Sequence, residues 1–174
     1  MLFSALPRVP GGKSMTNNDV LRRVRYALDI PDALMIKIFS LADRKIDRLT
    51  VQRLLKKDGD DGHLACSEDD LTAFLDGLIV LKRGKQEKRP GRLFTLDAPL
   101  DNNMILRKLR IALELRDDEM LQTLALAGFD VSKSELSALF RKKGHRHYKT
   151  CGDQFLRNFL NGLTRRYRNP SSQR

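Results

Sequence analysis

Apolar residues along this chain recur at three- and four-residue intervals, the spacing of one helix face, and never sustain the alternation of a strand. Stepping about 100° per residue from Val20, Val20, Leu21, Val24, Ala27 and Leu28 fill one arc, which predicts a helix over 18–28 with Asn17 or Asn18 as its N-cap. "DALMIKIFSLAD" predicts a second helix over 32–43, entered through Pro31, a residue suited to helix starts. A third is expected over about 48–57. A fourth is expected over 68–82, capped by Ser67, with Leu71, Phe74, Leu75 and Leu78 on one face.

The same pattern is then written again. Shifting the chain by 85 residues aligns 17–79 with 102–164 without a gap, and 20 of those 63 pairs are identical. The conserved letters include Asn17/Asn102, Asn18/Asn103, Arg22/Arg107, Arg25/Arg110, Asp32/Asp117, Gly59/Gly144, Cys66/Cys151 and Gly77/Gly162. The chain is therefore read as all-α, a tandem duplication of a roughly four-helix unit. Residues 15–84 form the first repeat and 101–168 the second. A leader (1–14), a linker (85–100) and a tail (169–174) complete the chain, with leader and tail expected to be flexible or disordered. "RLFTL" at 92–96 is the one possible short strand.

Two repeated arginines occupy different places on the first helix. Arg25 lies at the border of the apolar arc and shares its repetition with Asp32, so an ion pair bracing the turn is expected there and again between Arg110 and Asp117. Arg22 and Arg107 lie almost opposite the arc and are expected to face water, with basic neighbours Arg23 and Lys108. In the second repeat "DVSKSELSALFRKKG" adds a capping box, Ser132 to Glu135. It also gives the outline of a helix-turn-helix hairpin. The turn is read as lacking its usual glycine, with Lys45 and Asp130 near that place, so a plain structural hairpin stands beside a DNA-reading one.

Charge changes the picture in one half only. The chain carries a formal +11. Residues 15–84 hold 12 Lys/Arg against 12 Asp/Glu, whereas 101–174 hold 15 against 8. The copies disagree most in the loop after the third helix, "KKDGDDGHLAC" against "RKKGHRHYKTC", where Asp58, Asp60 and Asp61 become Lys143, His145 and Arg146. Cations around an aromatic ring suit nucleic acid, neutralising phosphates while the ring stacks. Such clusters are Arg141, Lys142, Lys143, Arg146 and Lys149 around Tyr148, and Arg165, Arg166 and Arg168 around Tyr167. Lys133, Arg107 and Lys108 complete the expected RNA- or DNA-binding face. The alternative is a protein–protein adaptor or self-associating protein, the acidic loop meeting the basic one across the internal symmetry or head to tail between molecules.

Other chemistry has thin support. His63, Cys66, His145, His147 and Cys151 fall in matched loops, yet H-x₂-C and H-x-H-x₃-C are not an established zinc spacing. "DGDDG" fails as a calcium loop, since its sixth position is His63 and its twelfth Asp69. Phosphate-loop, dinucleotide, nucleophile-elbow and zinc-protease motifs do not occur, so no catalytic residues, metal or cofactor are assigned and no enzyme is expected. Two cysteines, the lack of a signal-like start and the lack of a long apolar run point to a cytoplasmic protein without a membrane span.

"MTNNDVLRRVRYALDI", followed by "MIKIF" and echoed in "LDNNMILRKLRIALEL", resembles the YehS-like family of small bacterial proteins, built from two copies of a domain of unknown function. The resemblance covers about 15–168. It implies a small cytoplasmic bacterial protein and supplies no functional residues.

Overall fold

The computed structural model describes residues 13–85 and 98–169. The possible strand at 92–96, most of the leader and most of the tail lie outside them. The described residues form helices and no strands. α1 (Asn17–Leu28), α2 (Asp32–Leu41), α3 (Arg48–Leu54) and α4 (Glu68–Arg83) make the first repeat. α5 (Asn102–Ala112), α6 (Asp117–Leu126), α7 (Lys133–Leu139) and α8 (Asp153–Arg168) make the second.

Capping explains most boundaries. Ser67 accepts from the Asp70 N–H to open α4, and Ser132 and Glu135 cap each other's backbone at α7. The first helix of each repeat differs from expectation. Its N-cap is Thr16 in α1 and Asp101 in α5, not an asparagine. Asn18 and Asn103 sit inside the helix and are buried, because their amides are used elsewhere. α3 ends earlier than the expected 57, at Leu54, and α7 ends at the matching Leu139.

The two repeats are not beads on a linker. One hydrophobic core runs through both, and Phe39, Phe74 and Phe159 are fully buried within it. Each such side chain contributes about 1.5–3 kcal/mol by leaving water. α2 packs on α4 and α6 on α8 within the repeats, but α1 packs chiefly on α8 and α5 on α4. Each repeat thus completes its core with the other's last helix.

The polar contacts between repeats come in matched pairs, which define an internal pseudo-two-fold axis. The Met15 N–H donates to Asp153 at 2.9 Å, and its counterpart Leu100 N–H donates to Glu68 at 2.7 Å. Arg23 donates to Asn161, and Lys108 pairs with Asp76 at the equivalent place. Arg168 pairs with Asp29 as Arg83 pairs with Glu114.

These pairs also fix direction. Residues 15, 23 and 29 meet 153, 161 and 168 in order, so α1 and α8 run parallel, and α4 and α5 do likewise. Asn17 reaches the Cys66 carbonyl at 3.1 Å and Asn102 the Cys151 carbonyl at 3.2 Å, tying each first helix to the start of its own fourth. The N-termini of α1, α4, α5 and α8 therefore gather at one end of the molecule.

Candidate nucleic-acid interface

The loop that follows each third helix is built on one buried asparagine. In the second repeat the Asn103 amide donates to the carbonyls of Leu139 and Lys149, both at 2.9 Å, and its oxygen accepts from the Cys151 N–H at 2.8 Å. Asn18 repeats this with the Leu54 and Leu64 carbonyls and the Cys66 N–H. One side chain thus ties a helix C-terminus to the far end of the loop that follows it, supplying partners that buried backbone groups require. Gly144 and Gly59, at φ of 93° and 90°, take the left-handed turn inside each loop, which explains their repetition.

On this frame Arg141, Lys142, Lys143, Arg146 and Lys149 are all exposed. Among the described residues none of the five is in an ion pair. Tyr148 is half-buried, and His145 lies 5.7 Å from His147, ring to ring. Lys149 acts through space on the carboxyl of Glu135. That carboxyl is held below the ordinary range first by the Ser132 backbone N–H, then by the Ser132 hydroxyl, with Lys149 adding to this. Lys133 is exposed on α7.

Several expected members lie elsewhere. Arg107 was expected in water, but its guanidinium is half-buried and donates to the Phe140 carbonyl at 2.6 Å, closing the C-terminus of α7. Arg22 does the same for the Lys56 carbonyl at 2.8 Å and also pairs with Asp19. Both arginines thus support the clamp, a role that a helical wheel cannot register because the partner comes from another helix. Lys108 is buried and pairs with Asp76 of α4. The turn-bracing pairs do form, Arg25–Asp32 at 3.1 Å and Arg110–Asp117 at 2.7 Å.

The second basic cluster stands apart. α8 has 16 residues, so its ends are about 24 Å apart at 1.5 Å per residue. The loop 140–151 lies at one end and Arg165–Arg168 at the other. There Arg166 pairs with Glu119 at 3.2 Å. Arg168 stacks on the Tyr26 ring at 4.0 Å, donates to the Tyr26 carbonyl and pairs with Asp29. These two arginines join repeats and helices. Tyr167 is partly exposed, and burial pushes its phenol up although Arg166 beside it pulls the other way. Arg165 is exposed.

The hairpin does carry a glycine, two residues before the place the sequence indicated. Gly128 (φ 72°) takes the left-handed position after α6, and its counterpart Asp43 does so at 59°. α7 has seven residues, with Leu136, Ala138 and Leu139 buried, so it offers one cation, Lys133, to any groove. Cys66 and Cys151 are also buried, and desolvation pushes both thiols up to about 12. Among the described residues no three of His, Cys, Asp or Glu come together as a metal would require. No helix among them is long and apolar enough to cross a membrane.

Comparison with known proteins agrees with the duplication. The chain is 38% identical over 152 residues to the uncharacterized protein YehS of Escherichia coli (strain K12), covering 87% of this chain and 96% of that protein. No solved structure matches. A family model described as "Protein of unknown function (DUF1456)" matches twice, over 17–84 and 102–169, one match for each repeat, and the chain belongs to that family.

Proposed function

We propose that this protein is a non-enzymatic nucleic-acid-binding protein that grips the phosphate backbone of structured RNA with the loop 140–151. The observation that carries this reading is five exposed cations within 141–149, without ion-pair partners among the described residues, on a backbone fixed by Asn103. A loop held in place in advance loses little conformational entropy on binding. Backbone contact is favoured over base reading in a DNA groove because α7 is short and presents one lysine. Arg107, Lys108, Arg166 and Arg168 are left out of the surface, since the fold already uses them.

The test measures binding of a structured RNA and a duplex DNA at two salt concentrations. It compares wild type with a variant carrying Arg141→Glu, Lys142→Glu, Lys143→Glu and Arg146→Glu. Four neutralised phosphates give a log–log salt slope of about −3 on single strands and about −3.6 on duplex DNA. The variant should lose binding and slope together. No binding by wild type at low salt, or equal binding by the variant, would refute the proposal.

A further inference from the structure

The two loops that differ most in charge lie on the same end of the molecule. Each runs into the N-terminus of α4 or α8, and those termini gather with α1 and α5. In matched register, 56–70 holds two Lys against six Asp/Glu, net −4, and 141–155 holds five Lys/Arg against one Asp, net +4. Asp58, Asp60, Asp61, Glu68 and Asp69 are exposed, as are the five cations. Within the chain no hydrogen bond or ion pair joins the two loops among the described residues. Asp58 does meet Lys13 at 3.1 Å, but both side chains are largely exposed, 67% and 76%, so water and salt screen that contact.

The loops flank opposite sides of this end, one on α1 and α4, the other on α5 and α8. The internal pseudo-two-fold carries one loop onto the place of the other. The end is therefore self-complementary. A two-fold axis lying in its plane, across the line from loop to loop, puts a second copy's acidic loop over the basic loop and its basic loop over the acidic one. Both contacts form in one step, and the interface closes. Head-to-tail growth is disfavoured because both loops lie on one end.

We infer that two copies of this chain pair end to end in a closed, salt-sensitive dimer, each basic loop covered by the other copy's acidic loop. The dimer hides the loop 140–151, so a second copy and nucleic acid compete for it. The occlusion rests on the nucleic-acid reading, whereas the pairing does not.

The test is sedimentation of the full chain at two salt concentrations. It uses an acid-reversed variant (Asp58→Lys, Asp60→Lys, Asp61→Lys) and a base-reversed variant (Arg141→Glu, Lys142→Glu, Lys143→Glu, Arg146→Glu). All seven positions are exposed, and circular dichroism checks that both variants fold. Wild type should dimerise at about 50 mM salt, and at least about tenfold more weakly at about 0.5 M, as screening predicts. Each variant alone should be monomeric, and an equimolar mixture should recover the dimer, since a net-basic end then faces a net-acidic one. A monomeric wild type at low salt, or a mixture that stays monomeric, overturns the pairing. A dimer that persists under a saturating structured RNA overturns the occlusion. If that structured RNA fails to bind the monomeric acid-reversed variant, whose basic loop is open, the nucleic-acid reading falls and the pairing stands.

Discussion

Replacing Gly162 in the middle of α8 with alanine sets two effects of opposite sign against each other. Helix propensity alone predicts that Gly162→Ala stabilises, by about 1 kcal/mol. The structure predicts the reverse. A Cβ at 162 would stand 1.9 Å from the Thr123 carbonyl oxygen, and one at Gly77 would stand 1.8 Å from that of Ile38. Separations under 3.0 Å are not sustained, so α8 must move off α6, and α4 off α2, by at least 1.1 or 1.2 Å. The atom met is backbone and cannot swing aside. A shift of that size forfeits much of the dispersion between the paired helices and forces the neighbouring core out of register. Overpacking costs about 1–3 kcal/mol, occasionally more. Since the buried contact is the helix backbone itself, the upper part of the range applies, leaving a net loss of about 1–2 kcal/mol after propensity is deducted. Urea unfolding should show a lowered midpoint with an unchanged slope, and the melting temperature should fall by roughly 2–8 °C. Gly77→Ala should behave alike, because Ile38 and Thr123 are equivalent positions. If either variant is stabilised by the propensity increment, the close helix pairing described here is wrong.

Asn103→Leu should cost about 3 kcal/mol or more. It leaves two carbonyls and one N–H without partners, at about 1–3 kcal/mol for each buried group that water cannot reach. Hydrogen exchange should show the Cys151 amide losing protection, and retained protection at that amide would contradict the clamp. Burial holds both thiols neutral, with pKa values pushed up to about 12. Cys66 and Cys151 should therefore resist iodoacetamide at about pH 8 in the native protein and react after unfolding. Rapid labelling of the native chain would count against their buried placement.

The helices and the duplication were legible because both depend on short-range spacing. Ser67 and Ser132 cap helices as the sequence indicated, and Arg25–Asp32 closes the turn it brackets. Failures of the sequence reading began where the deciding partner is distant in the chain. Asn18 looks like a helix start because asparagine commonly is one, yet its three partners lie 36 to 48 residues away. Lys108 looks like a surface cation, and its partner Asp76 belongs to the other repeat. Periodicity reports which face of a helix is apolar. It does not report which polar residue at the edge of that face meets another helix.

Divergence between the copies separates charges that serve the fold from charges that do not. Arg44 pairs with Asp70 in the first repeat, and the same two positions in the second hold Phe129 and Phe155, whose rings stand edge to face at 5.6 Å. Arg166 pairs with Glu119 in the second repeat, and the first holds Leu81 and Leu34, both packed on the core. In these two pairs both members have changed in concert, where a single change would leave a partly buried charge without its partner. At Lys108–Asp76 only the acid loses its charge, and its counterpart Asn161 still accepts from Arg23. The loop positions differ. Asp58, Asp60 and Asp61 have become Lys143, His145 and Arg146; Asp58 pairs with Lys13 across two largely exposed side chains, and none of Lys143, His145 and Arg146 has an ion-pair partner among the described residues. A change of sign that nothing among the described residues compensates is free to answer to something outside the chain. For that reason the functional reading rests on the loop 140–151 and not on the repeated arginines of the first helix.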